Sequence, residues 1–196
     1  MNIIELNYKW KGTLSARTKT DLIVLHHAAM NGDAYAIHNV HLQNGWAGIG
    51  YHFYIRKNGN IFRGRPIEKM GAHAQGHNNH SIGICFEGNF EKEKMTDAQV
   101  ESGRELIEHI RNCYSAILPI AKHSDLNATA CPGKNFRLDD ITAISVDKTV
   151  NQMYLDGIIS VENVKNWEMF LNGQMPKSEY VKTIIQRYQK ALRCKE

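Results

Sequence analysis

No uncharged apolar run in this 196-residue chain extends beyond a few residues, Leu22 to Leu25 being typical. A membrane-crossing helix needs about 20 such residues, so no span is expected. A secretory leader, with a basic stretch ahead of an apolar run of roughly 7–15 residues, is not recognisable either. Asn2, Glu5 and Asn7 come first, and Lys9 and Lys11 follow. The expectation is synthesis in the cytoplasm without a signal peptide. Only four cysteines occur, Cys85, Cys113, Cys131 and Cys194. They have no close pairing pattern, which argues against a disulfide framework and leaves packing or metal roles. The net charge of +4 is too small to designate a partner, and no nucleic acid is inferred from it. No internal repeat or low-complexity segment is found. With 42% apolar and 22% charged residues, the composition excludes a disordered or fibrous chain.

Histidine is missing from the last seventy-odd residues, and all ten lie between His26 and His123. Histidine serves as metal ligand and as proton carrier near neutral pH. The chemistry is therefore expected in that stretch, and the tail is read as a separate module.

The pattern of apolar residues places the elements. Leu22–His27 reads as a buried strand and Ala34–Gln43 as a short helix stopped at Gly45. Tyr51–Arg56 and Ile61–Arg63 read as a hairpin across Lys57-Asn58-Gly59-Asn60. Ser81–Phe86 reads as a strand with Ile82, Ile84 and Phe86 on one face, and Cys85 and Glu87 on the other. Thr96 and Gln99 form a capping box that opens a long helix carrying Val100, Gly103, Ile107 and Ile110. Leu118–His123 reads as another strand. Residues 1–140 are thus expected to form an α/β domain with a central mixed β-sheet flanked by helices. Residues 141–196 carry three amphipathic helical signals and are expected to form a small C-terminal helical module, for docking, wall binding or self-association.

Three groups stand out as metal ligands: His26 or His27 at the end of the first strand, His123, and Cys131 before Pro132-Gly133. Catalytic zinc takes three such ligands and leaves one position open. Strand side chains alternate, so only one of His26 and His27 can face a cleft.

Five stretches then become recognisable together: Val24-Leu25-His26-His27-Ala28; Gly45-Trp46-x-Gly48-Ile49-Gly50-Tyr51-His52-Phe53; Gly71-Ala72-His73-Ala74; Asn79-His80-Ser81-Ile82-Gly83-Ile84; and His123-x7-Cys131-Pro132-Gly133. In this order they resemble the zinc-dependent N-acetylmuramoyl-L-alanine amidases of the second amidase family, which includes phage lysozyme-amidases and animal peptidoglycan recognition proteins. The resemblance covers about residues 20–140. It implies a zinc cleft on the α/β sheet and cleavage of the amide between N-acetylmuramic acid and L-alanine in peptidoglycan. It implies His26, His123 and Cys131 as ligands of Zn2+ and Tyr51 as a catalytic residue. Phage members carry a lysine two residues before the ligand cysteine, where this chain has Thr129. Thr129 is therefore the expected catalytic hydroxyl at that place. Members with an aspartate ligand and an acidic base resemble the chain less, since Cys131 and Cys85 stand at those positions. His73 and Asn79 are taken as substrate-binding candidates. An endolysin-type enzyme, released to the cell wall through a holin-type lesion, is the expected role. A cytosolic muropeptide-recycling amidase and a non-catalytic peptidoglycan-binding module are the alternatives.

The remaining polar residues are expected to be structural. His41 and His52 read as packing, Trp46 as core, Glu87 as a surface carboxylate, and Cys85 and Cys113 as buried small hydrophobes.

Overall fold

The computed structural model describes residues 1–114 and 118–143. A six-stranded mixed sheet runs through the domain. Its strands are β1 (Ile3–Ile4), β2 (Leu22–His27), β3 (Phe53–Ile55), β4 (Ile61–Arg63), β5 (Ser81–Phe86) and β6 (Ile120–Lys122). The spatial order is β1-β4-β3-β5-β2-β6. Only β3 and β4 are antiparallel; every other neighbouring pair is parallel. The helices are α1 (Ala34–Gln43), α2 (Asp97–Asn112) and a short α3 (Leu138–Thr142). The expected α/β class and mixed sheet are both present. The expected strands Tyr51–Arg56 and Leu118–His123 are shorter than the patterns suggested, while Ile61–Arg63 forms as read. At the start of the hairpin, the carbonyls of Tyr51 and His52 accept from Arg65 and Gly64 beyond the end of β4. At the other site, His123 leaves β6 for a 3-10 turn. No helix among the described residues is long and apolar enough to cross a membrane. The three tail helices expected beyond residue 143 lie outside the described residues.

Alternation along the strands divides the core in two. Ile23, Leu25, Ile82, Ile84 and Phe86 pack on one face with Val100, Leu106, Ile107 and Ile110 of α2. Tyr54 and Cys85 pack on the other with Ile37 of α1 and Ile49. The two longer helices, α1 and α2, each begin at a side-chain cap. Asp33 accepts the Ala36 N–H at 2.8 Å. The Thr96 hydroxyl accepts the Gln99 N–H, and the Gln99 side chain accepts the Thr96 N–H, which completes the box read from the sequence. The Asn58-Gly59 turn also forms, with Gly59 at φ +85°, a conformation that suits glycine.

Glu87, expected on the surface, is only 4% exposed. Its carboxylate accepts the N–H groups of Gly32 and Lys57 at 3.0 Å and pairs with Arg56 at 3.1 Å. It ties the loop before α1 to the hairpin, a tertiary role with no local sequence signal. Cys113, expected to be buried, is exposed, because it is the residue on which α2 ends.

The buried histidines are more than packing. Nδ1 of His38 accepts the Ile49 N–H at 3.1 Å, and Nδ1 of His41 accepts the Gly50 N–H at 3.0 Å. Nδ1 of His52 accepts the Gly83 N–H at 3.0 Å, and Nδ1 of His27 accepts the Phe90 N–H at 3.1 Å. An imidazole accepts at Nδ1 only when that nitrogen is unprotonated. These bonds fasten the 45–52 loop to α1 and His52 to β5, and so fix Tyr51 in place.

Two predictions follow from this packing. On an open helix face Gly→Ala stabilises by up to about 1 kcal/mol. At Gly103 the added methyl would meet the buried Phe86 ring at 2.9 Å, and overpacking costs about 1–3 kcal/mol. Gly103→Ala should therefore lower the urea midpoint, read by circular dichroism. Burial pushes the pKa of His52 down to about 3 and that of His41 down to about 4, while the unfolded chain titrates near 6.5. Between these values the unfolded state holds more protons, so stability is complete above about pH 6.5 and falls as acid is added. The metal-free protein should lose on the order of 3 kcal/mol per ring over that window. Urea midpoints at pH 7, 6 and 5 should fall steadily, and His41→Asn, which keeps an acceptor oxygen that does not titrate, should flatten the slope.

Candidate active site

The parallel strands end together, and their carboxyl ends carry the site, as is general for sheets of this kind. Leu25 of β2 is in register with Lys122 of β6, so His26 and His123, each one residue further along, become neighbours. Their ring centres are 4.6 Å apart. On the other side His26 is in register with Cys85 of β5. His26 points to the cleft face and His27 to the α2 face, where it meets Phe90. Alternation required that only one of the two face the cleft, and the family resemblance pointed to His26.

Cys131 arrives on the loop after the 3-10 turn His123–Asp125. The Ser124 N–H donates to the Cys131 carbonyl at 2.8 Å, and the Cys131 N–H donates to the Thr129 hydroxyl at 3.2 Å. Gly133, at φ +100°, lets the loop lie against β5's exit: a methyl there would fall 2.5 Å from the Phe90 carbonyl carbon. The His27 N–H points at Cys131 Sγ, 3.4 Å away.

His26, His123 and Cys131 each offer a ligand atom, and these atoms lie within 4.8 Å of one another. Tetrahedral zinc with Zn–S about 2.3 Å and Zn–N about 2.05 Å sets sulfur and nitrogen about 3.6 Å apart. His26 Nδ1 stands 3.7 Å from Cys131 Sγ, which fits. The protonation states fit as well. Burial first, and the like charges of His123 and His27 next, hold His26 well below its ordinary pKa. Burial also lowers His123. Both rings are thus neutral, as ligands must be. Burial pushes the Cys131 thiol up to about 11, opposed by the His27 N–H. A thiolate at neutral pH therefore needs a cation beside it, and the three donors suit one borderline-soft divalent ion.

Tyr51 is partly buried beside them. Its ring centre is 5.1 Å from that of His26, 5.4 Å from His41 and 6.4 Å from His73. Burial, followed by the nearby Cys85 and Cys131 thiols, raises its pKa well above 10. It is a phenol, able to donate, at any working pH. The Cys85 thiol lies close to its hydroxyl.

A groove of about 660 Å³ opens beside His123. Trp46, His73, Asn78, Asn127 and Thr129 line it, with small residues between. Trp46, expected in the core, is 42% exposed; the His41 ring supports it at 4.6 Å. His73 is buried behind the groove wall, with Nδ1 3.0 Å from His26 Nε2. Asn79, the other substrate candidate, is exposed and does not line this groove. Its carbonyl is engaged by Thr18. Its neighbour Asn78 shapes the wall instead, accepting the N–H groups of His73 and Ala74 at 2.8 and 3.0 Å. The sequence places Asn78 in a polar loop, His77–His80, that could line a groove but is by default solvated, and it gives no signal for Asn127, because loop polarity alone does not tell which amide turns inward. Asn127 donates to the Gln75 carbonyl at 3.2 Å, across the groove.

The comparisons with known proteins agree with this geometry. Residues 16–134 match the family model described as N-acetylmuramoyl-L-alanine amidase. The chain is 36% identical over 145 residues to peptidoglycan-recognition protein SC2 of Drosophila melanogaster, covering 65% of this chain and 78% of that protein. It is 32% identical over 125 residues to the endolysin of Escherichia phage T7, covering 59% and 82%. Among solved structures, the N-acetylmuramoyl-L-alanine amidase LysC from Clostridium intestinale URNW aligns with a TM-score of 0.70 at 42% identity, over 73% of this chain and 96% of that one. The sheet, the cleft and the His/His/Cys cluster thus stand on a chain that belongs to the N-acetylmuramoyl-L-alanine amidase family.

Proposed function

We propose that this protein hydrolyses the amide bond between the lactyl group of N-acetylmuramic acid and L-alanine in bacterial peptidoglycan, as a zinc-dependent, endolysin-type enzyme. The observation that carries the reading is the convergence of His26, His123 and Cys131 at the edge of a groove, in a chain of the amidase family.

His26, His123 and Cys131 would hold the ion. When bound, zinc supplies a Lewis acid for the amide carbonyl and brings the ionisation of water to about pH 7. The protein's own residues do the rest. The neutral Tyr51 phenol can donate a hydrogen bond to the oxygen that gains charge as the carbonyl is attacked. Thr129 Oγ1 accepts from Cys131 and keeps its own O–H for the groove. This hydroxyl is a weaker stabiliser than the lysine ammonium that phage relatives carry there. Among the described residues no Lys, Arg, Asp or Glu lines the groove, so the stem peptide would be held there by amide hydrogen bonds and by the Trp46 face. On this reading the enzyme is made in the cytoplasm, reaches the wall through a lesion made by another protein, and uses residues 141–196 as a helical module for wall binding or self-association.

The endolysins among the relatives support lysis of intact wall. Peptidoglycan-recognition relatives raise a second reading, binding without cleavage. The presence of both Cys131 and Tyr51 favours catalysis.

Purified sacculi treated with the protein should release stem peptides with free L-alanine amino termini and leave glycan strands with free lactyl carboxylates, both identified by mass spectrometry. Unchanged muropeptides would refute hydrolysis, and activity confined to soluble fragments would favour a recycling enzyme. Cys131→Ala should lose both bound zinc, by metal analysis, and lysis, by turbidity. Tyr51→Phe should keep zinc and lose about 100- to 1,000-fold in rate.

A further inference from the structure

We infer that Ser81 and His73 form a relay that fixes the proton of His26 on Nε2, and so aims the bare Nδ1 of His26 at the metal position. The inference rests on the zinc reading above, but its direction comes from hydrogen-bond chemistry alone.

The relay begins at a carbonyl. Ser81, the first residue of β5, is fully buried, and its Oγ lies 2.6 Å from the His77 carbonyl oxygen. A carbonyl can only accept, so the hydroxyl hydrogen is committed there. The same Oγ lies 3.5 Å from His73 Nε2. With its hydrogen spent, this oxygen can only accept, so His73 Nε2 carries a hydrogen. A neutral imidazole has one N–H, and His73 Nδ1 is therefore bare. That nitrogen stands 3.0 Å from His26 Nε2. Two bare nitrogens cannot share a hydrogen bond, so His26 Nε2 carries the N–H. His26 Nδ1 is then a lone pair, and it is the nitrogen 3.7 Å from Cys131 Sγ.

The packing leaves the relay little slack. Gly71 and Gly83 flank the His73 ring, and a methyl on Gly83 would sit 2.6 Å from its Cδ2 and Cγ. The Asn78 side chain holds the His73 N–H from behind. Ligand histidines commonly donate their second N–H to a carboxylate, a backbone carbonyl or water. Here the acceptor is another histidine, and an imidazole accepts only in the correct tautomer. A serine two links from the metal position supplies that information. Ser81 and His73 are positioning residues in this scheme.

Nitrogen-15 shifts of the imidazoles in the metal-free protein test the relay whether or not metal binds. Protonated Nε2 and bare Nδ1 are expected on both His26 and His73; a hydrogen on His26 Nδ1 would overturn the relay. Zinc affinity, measured by chelator competition, gives a second readout. His73→Asn keeps an acceptor oxygen where Nδ1 stands and should bind zinc within about 3-fold of the wild type. His73→Leu fills the space without an acceptor and should bind about 10- to 100-fold more weakly. Equal affinities in the two variants, both folded by circular dichroism, would also overturn the proposal. Failure of the wild type to take up zinc would sink the ligand assignment instead.

Discussion

The parallel pairing of β2 between β5 and β6 is the constraint on which the rest depends. It brings three strand ends to one edge, and places His26 beside His123 on one side and Cys85 on the other. Residues that are 97 positions apart in the chain become ring neighbours through register alone. A slip of one residue in β2 would turn His27 to the cleft and His26 to α2. The identical neighbours in sequence have unlike duties for this reason. One is a ligand candidate, while the other takes the Phe90 N–H and lends its own backbone N–H to the Cys131 sulfur.

Burial without charge is the second theme. Several histidines sit at the catalytic end, where an imidazolium would be costly to desolvate. For His27, His41 and His52 the structure meets this cost by giving the bare Nδ1 a backbone N–H donor, so that each of these rings is both neutral and engaged. Histidine rings also build the scaffold of the site: those of α1 fasten the loop that carries Tyr51, and His73 backs the wall of the groove. Loop anchoring and two of the three candidate ligands thus draw on one residue type, which the sequence confines to residues 26–123.

Much of this was legible in the sequence. The capping box at Thr96, the Asn-Gly hairpin and the alternation of β5 are local patterns, set by periods of two or 3.6 residues and by turn chemistry, while the choice of His26 over His27 came from the family resemblance. The metal cluster became readable only through five motifs in order, because spacing by itself does not say which strand ends meet. What stayed hidden depends on tertiary partners. Glu87 looks like a surface carboxylate until its three donors are in place. Trp46 looks like core until α1 props it outward, and Asn78 and Asn79 are indistinguishable until one of them turns to cap His73 and Ala74. The direction of the Ser81 bond likewise needs the His77 carbonyl, which only the folded loop supplies.

The bond from the Asn127 amide to the Gln75 carbonyl joins the two loops that flank the groove. It works as a latch between opposite banks. A neutral hydrogen bond of this kind is worth only about 1 kcal/mol, whereas the sheet edge beneath each loop is held by whole ladders. At this point the gape of the channel is set by one neutral hydrogen bond, while His26 below it stands on a strand paired on both sides.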